Sequence, residues 1–213
     1  MLMSKQVAAI LLLSVPLAPG QAEKEAVPFE YRSPIVQKLA FRSDVMLAQE
    51  RHSYATNLAT YAANHVVTRM ASKESLADAR RILALAFHLE RRNKQAMVVN
   101  FQLREGVLPE VKKGDYNSRT FARLLLSRAR LLLKGGEGEE SERLLARCFI
   151  ELAAHIDPRN EDAVFEYENQ RIDEGEIDWR ILTDSLRDEP GPDTGPEQVP
   201  AATPEETGAG GAP

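Results

Sequence analysis

Apolar residues recur at spacings of three and four along almost the whole stretch from Ser33 to Asp184, and runs that alternate apolar and polar residues are missing. This periodicity is typical of amphipathic helices, so the pattern predicts an all-α chain. Six main helices are predicted over 44–70, 74–89, 94–105, 120–134, 139–156 and 160–173, with a short seventh over 178–187 that could cap the open end of a helical stack. Ser72 and Asn93 stand where helix N-caps are expected, and Gly106 ends the third helix.

The helical pattern occurs twice. Equivalent residues of the two copies are always separated by the same number of positions as His88 and His155. The copies span 53–106 and 120–173, and a linker rich in turn residues joins them at 107–118. Other paired positions hold apolar or small residues in both copies: Leu58 and Leu125, Ala62 and Ala129, Ala79 and Ala146, Ala86 and Ala153. Packing fixes the buried positions of a repeat while exposed positions drift. The duplication therefore predicts two homologous helix triplets that cover each other's apolar sides.

Three groups of residues resemble the tetratricopeptide repeat, abbreviated TPR. Ala146, Ile150, Ala153 and Pro158 are similar to its second helix, and so are Ala79, Leu83, Ala86 and Asn93 in the first copy; Leu58 with Ala62, and Leu125 with Ala129, resemble the large and small pair of its first helix. The resemblance implies a short, TPR-like α-solenoid of stacked antiparallel helical hairpins over residues 44–187, with about six to seven helices. It also implies a right-handed superhelix whose concave face binds peptides or protein surfaces.

Carried over by position, the same resemblance gives candidate partner-binding residues. They are Gln95, Gln102, Arg123, Arg130 and Asn169, with Thr56 and Ala63 as further exposed positions of the first helix. Arg123 and Arg130 are seven residues apart on one helix face and could clamp carboxylates. The alternative is that both arginines are solvated or pair with nearby glutamates, because surface charges usually contribute little.

Both ends of the chain differ from the helical part. Residues 1–22 have a lysine, an apolar stretch at 7–18 and small residues before a cleavage point after Ala22, which predicts a signal peptide and a periplasmic or secreted protein. Residues 23–43 form an N-terminal extension. The segment 188–213 is rich in Pro, Gly and acidic residues and is predicted to be a disordered tail. No segment of the mature chain is apolar over the roughly 20 residues that span a bilayer.

Charge narrows the classes of partner. The 213-residue chain has a formal net charge of −5; removing Lys5 with the signal peptide gives −6, and removing the six acidic residues of the tail leaves residues 23–187 neutral. Nucleic-acid binding depends on clustered positive charge. A neutral folded part therefore argues against a nucleic-acid partner and favours a protein or peptide, with self-association through the ends of the stack as a further possibility.

Candidate chemistry is sparse. The histidines have no partner at a spacing of three or four, which argues against a metal site, and the single cysteine, Cys148, is predicted to be buried and neutral. No catalytic residue, metal ligand or cofactor is predicted. The sequence therefore favours an exported, non-catalytic interaction scaffold. The alternative is a helical envelope enzyme or a protein that binds a metal or small ligand.

Overall fold

The computed structural model of the chain describes residues 29–134 and 140–186. The predicted signal peptide at 1–22 and the predicted tail at 188–213 lie outside these residues. Within them the chain forms seven helices, which confirms the all-α prediction. They are α1 (Ala48–Thr68), α2 (Lys73–Leu89), α3 (Lys94–Arg104), α4 (Ser118–Lys134), α5 (Glu140–Ile156), α6 (Glu161–Glu174) and α7 (Arg180–Thr183). Two short strands, β1 (Ile35–Val36) and β2 (Asp184–Ser185), pair in parallel.

Local chemistry sets several helix ends where the sequence predicts them. The Ser72 side chain accepts a hydrogen bond from the backbone N–H of Ser75, and the Asn93 side chain accepts one from Ala96, so both predicted N-caps are confirmed. Gly106 follows α3 with φ of +70°, a conformation that glycine adopts without steric penalty. The helix ends are therefore encoded by single residues close to each boundary.

The duplicated core positions are buried alike in the two triplets. Leu58 and Leu125 are both fully buried, and so are Ala86 and Ala153. The small side chains of Ala86 and Ala153 let neighbouring helices approach closely. In the two triplets α1 packs along α2 just as α4 packs along α5. The third helices differ, because α3 packs mainly on α1 whereas α6 packs mainly on α5. The structural repeat therefore comprises the first two helices of each triplet and the core between them.

The two triplets meet through α1 and α4, which run in opposite directions. Contacts between them run in reverse order, because Arg128 pairs with Glu50 at 3.4 Å and Tyr54 donates to the Leu124 carbonyl at 3.1 Å. Arg128 and Asn64 also bind the carbonyls of Val45 and Lys112, which precede α1 and α4, at 2.7 Å each. Tyr54 and Phe121, which are equivalent residues, touch each other with ring centroids 6.0 Å apart. A contact between equivalent residues on antiparallel elements is the mark of an approximate two-fold axis. The triplets therefore face each other about an axis near Tyr54 and Phe121.

The two ends of the described chain come together on α2. The predicted helix 178–187 is shorter than expected, since α7 has four residues and packs mainly against α2 instead of closing the second triplet. Trp179 and Leu182 are buried while Ile181 is exposed, so only one side of this segment faces the core. The guanidinium group of Arg80 on α2 pairs with the carboxylate of Asp184, the residue directly after α7, at 2.7 Å. The segment is thereby tied to the first triplet, where β2 pairs with β1.

His88 at the end of α2 joins these two segments. Its Nδ1 accepts a hydrogen bond from the backbone N–H of Ala40 at 3.0 Å, and its Nε2 donates to the Leu182 carbonyl at 2.9 Å. The ring is buried and Phe41 packs on it edge to face. An imidazole that accepts at one nitrogen and donates at the other is neutral. Burial, helped by the charge of Arg91, accordingly lowers the pKa of His88 below its usual value of 6.5.

This lowered pKa predicts a loss of stability in mild acid. Because the unfolded chain protonates His88 more readily than the folded chain does, the free energy of unfolding should fall as the pH drops below about 6.5. Glu151 opposes the trend, since burial raises its pKa above 4.5 and the folded state takes up that proton first. Urea unfolding between pH 7 and pH 5 should show the loss, and it should be steeper in Glu151→Gln. A free energy of unfolding that increases towards pH 5 in Glu151→Gln would contradict the lowered pKa of His88.

Within the described ranges, no helix combines the length and the apolar character needed to cross a lipid bilayer.

Candidate binding cleft

The structure does not gather the candidate residues taken from the repeat resemblance into the cleft that separates the two triplets. Gln95 and Gln102 are half-buried on α3, Arg123 is exposed on α4, and Asn169 is exposed on α6. Arg130 forms ion pairs with two acidic residues of α6, Glu166 and Asp162, and these raise the pKa of its guanidinium. This is the paired state that the sequence left open as the alternative to a carboxylate clamp.

The two further positions on the first helix are also engaged within the protein. Ala63 was expected to be exposed and is fully buried, so that expectation is wrong. The reason is that α1 is covered on one side by α2 and on another by α3, which leaves room for only a small side chain. Thr56 is half-buried and accepts a hydrogen bond from Asn93 at 3.0 Å, so it supports the N-terminus of α3.

A cleft opens where α1 and α2 of the first triplet meet α5 of the second. We call it the central cleft; its inner part has a volume of about 230 Å³ and its lining residues are Tyr61, His65, Arg69, Asp78, Arg81, Ile82, Glu151, Leu152, His155 and Trp179. An outer part of about 430 Å³ continues between α1 and the start of α4. Four residues line both parts, namely Tyr61, His65, Arg69 and His155. The central cleft is therefore a continuous opening along the second half of α1.

The wall formed by α1 and α2 is held by an ordered polar pair. His65 Nε2 donates a hydrogen bond to Asp78 at 3.2 Å, and the ring of Tyr61 stacks on His65 with centroids 5.7 Å apart. The hydrogen bond from His65 is the main reason why the pKa of Asp78 lies below its usual value. Arg81 lies one helical turn from Asp78 and contacts it at 4.0 Å. This wall therefore presents fixed donors and acceptors to the cleft.

The opposite wall contains a buried carboxyl group, Glu151. It is 7% exposed and accepts a hydrogen bond from the indole N–H of Trp179 at 2.9 Å. No lysine or arginine of the described chain lies within 4 Å of it. Burial raises the pKa of Glu151, although the bond from Trp179 acts in the opposite direction. A buried acidic group without an ion-pair partner is costly to stability and is more common at functional sites than elsewhere.

His155 stands beside Glu151 and differs sharply from its equivalent, His88. It is exposed, and its ring touches Tyr167 of α6 edge to face, with centroids 5.4 Å apart. Neither of its ring nitrogens has a hydrogen-bond partner among the described residues, whereas both nitrogens of His88 do. The two triplets thus carry equivalent histidines. His88 is covered by other residues of the chain, whereas His155 is exposed in the cleft.

The cleft offers hydrogen-bonding groups and aromatic surfaces. In the described part of the chain, no group of three His, Cys, Asp or Glu side chains is placed to hold a metal ion. Cys148 is fully buried and burial raises the pKa of its thiol, which confirms the prediction of a buried neutral cysteine. The cleft combines aromatic walls with a few fixed polar groups, which is the usual composition of a binding site.

Sequence reasoning missed the residues of this cleft, although one signal was present. Glu151 occupies the position equivalent to Ala84, a fully buried residue in the core of the first triplet. A carboxylate at a buried position of a repeat is unexpected unless the site has a role. The other lining residues carry no such mark, because they meet only across the interface between the triplets.

Comparison of the chain with protein-family models, with curated proteins and with solved structures gave no match.

Proposed function

We propose that this protein is a non-catalytic scaffold that binds a segment of another polypeptide in the central cleft. The predicted signal peptide supports a place of action in the periplasm or outside the cell. The observation that carries the proposal is the open cleft between the duplicated triplets, in which aromatic and polar residues line a continuous surface. Helical repeats bury their apolar faces against one another and leave such surfaces for partners.

The polarity of the cleft supports a peptide more than a lipid or a nucleic acid. Tyr61 and Trp179 supply flat apolar walls, and His155 supplies hydrogen-bonding groups that match a peptide backbone. The carboxylates of Asp78 and Glu151 offset the charges of Arg69 and Arg81, so the cleft lacks the concentrated positive charge that phosphate backbones require.

Site-specific crosslinking tests the proposal. A photoreactive phenylalanine analogue at Thr68, which lines the outer part of the cleft, should form a protein adduct in extracts of the native cell envelope. The same analogue at Lys94, an exposed position at the start of α3, serves as the matched control. The captured protein, once purified, should bind the wild-type chain in calorimetry. Absence of an adduct at Thr68, or equal yields at the two positions, would argue against a polypeptide partner.

A small-ligand role is the second candidate, and the buried Glu151 is the observation that favours it. A compound bound there would co-purify with the protein at one equivalent and be detected by native mass spectrometry. It should be lost in Glu151→Gln, which keeps the acceptor for Trp179 but removes the charge. Detection of such a compound, together with the lack of a protein adduct, would replace the scaffold proposal.

A further inference from the structure

We infer that the central cleft binds an extended peptide with an aromatic side chain, in the same manner as residues 40–46 of this chain fill the equivalent groove of the other half. The inference rests on the proposed function and adds the chemistry of the bound segment. Its basis is the approximate two-fold relation between the triplets, because that relation makes one groove a template for the other.

The filled groove shows how an extended segment is held. The backbone N–H of Ala40 donates to Nδ1 of His88, and the ring of Phe41 packs against the imidazole with centroids 5.7 Å apart. Farther along, the carbonyl of Val45 accepts a hydrogen bond from Arg128 of α4 at 2.7 Å. Phe41 and Met46 are both buried. The segment thus crosses from His88 of one triplet to Arg128 of the other, using main-chain hydrogen bonds and apolar side chains.

The repeat offset maps this groove onto the central cleft. His88 corresponds to His155, and Arg128 corresponds to Tyr61. Both counterparts line the inner and the outer part of the central cleft. A segment that crosses from His155 to Tyr61 would therefore follow the path that residues 40–46 take in the filled groove.

The chain's own counterpart segment follows only the last part of this path. Residues 107–113 correspond to 40–46, and Leu108 stands in the place of Phe41. Leu108 and Lys113, the counterparts of Phe41 and Met46, are exposed, whereas Phe41 and Met46 are buried. Lys112, the counterpart of Val45, makes two backbone hydrogen bonds to Asn64, one helical turn from Tyr61, so the segment is held on α1 only at this end. The part of the groove beside His155 is consequently left open to another polypeptide.

The open groove keeps the chemistry that the template uses. The two nitrogens of His155 can accept from one backbone N–H and donate to one backbone carbonyl, as those of His88 do. Tyr61 replaces Arg128 and keeps a donor, because its burial raises the pKa of the phenol and the hydroxyl stays protonated. Ile82 and Trp179 offer an apolar surface for an aromatic side chain. Main-chain hydrogen bonds with a pocket for one side chain form a common mode of peptide recognition.

A peptide that copies the template tests the inference with the full-length protein. The probe is the capped decapeptide KLAFRSDVML, which is residues 38–47 of this chain. Trp179 is the only tryptophan and lies in the cleft, so its fluorescence reports on binding there. We expect a saturable change in emission with the probe. Binding should be about tenfold weaker when the phenylalanine of the probe is replaced by alanine.

Variants of the protein show where the probe peptide binds. His155→Ala should weaken binding about tenfold through loss of the imidazole hydrogen bonds, whereas His52→Ala, an exposed histidine that pairs with Glu90, should bind as the wild type does. Circular dichroism confirms that both variants are folded. Equal affinity of the wild type and His155→Ala would overturn the inference, since the probe would then occupy another place.

Two further results would also overturn the inference. One is the absence of any saturable change up to millimolar probe. The other is an intramolecular crosslink from Leu108 to the His155 side of the cleft, because the chain's own linker would then be the occupant. Neither result affects the crosslinking test at Thr68. A partner captured there that binds without competition from the probe would leave the scaffold proposal standing and remove the template mode.

Discussion

Replacing His88 with alanine should lower the free energy of unfolding by about 3 kcal/mol, while the same change at the equivalent His155 should lower it by less than about 1 kcal/mol. His88 satisfies the backbone N–H of Ala40 and the carbonyl of Leu182 inside the protein. Leaving a buried polar group without a partner costs about 1–3 kcal/mol, and the missing ring adds a cavity beside Phe41. Urea unfolding monitored by circular dichroism at pH 7.5 measures both variants.

The pair is informative because the two histidines are sequence equivalents with opposite surroundings. The ring of His155 is exposed and has no hydrogen bond to any described residue, so its removal leaves no buried group unpaired. Substitutions at exposed positions usually change stability by less than about 0.5 kcal/mol. Similar losses in the two variants would mean that the joining role of His88 is not what distinguishes the two halves.

Ala153→Asp should be the more damaging change, with a loss of at least about 4 kcal/mol or failure to fold. Ala153 is fully buried on α5, where it lies in the core that α5 shares with α4. An aspartate there would have to place a charge, or a protonated carboxyl without a hydrogen-bond partner, in an apolar contact between helices. Thermal unfolding and the yield of soluble protein report the effect.

Ala77→Asp is the matched control. Ala77 is exposed on α2, so the substitution carries the same change in helix propensity, about 0.5 kcal/mol, without any burial. A variant Ala153→Asp that unfolds with the same midpoint as Ala77→Asp would show that the α4 and α5 contact tolerates a charge. In that case the core common to both copies would not be a main source of stability.

Much of the fold could be predicted from the sequence because its signals are local. A helix is formed by hydrogen bonds between residues four apart, so the apolar periodicity and the caps at Ser72 and Asn93 suffice to place α2 and α3 within a residue or two. The sequence pattern predicts the start of α1 at residue 44, four residues before the helix begins in the structure. Residues 44–47 belong to the segment that crosses to Arg128, and this tertiary contact overrides their helical periodicity.

The candidate site could not be predicted in the same way. Tyr61, Asp78, Glu151 and Trp179 are separated by 17 to 118 positions along the chain, and no spacing rule connects them. The repeat resemblance assigns partner-binding residues by their positions along the helices alone. Their true neighbours depend on how the triplets meet, as the pairing of Arg130 with Glu166 shows.

By itself, the sequence determined that this chain is helical, that its core positions are duplicated at one constant offset, and where most helices begin and end. Only the tertiary structure decided that α1 and α4 run in opposite directions. It also decided that His88 is buried while the equivalent His155 is exposed. The physical reason is that helix formation depends on neighbours a few residues away, whereas the orientation of the triplets depends on contacts such as Tyr54 with Phe121, whose partners are far apart in the chain.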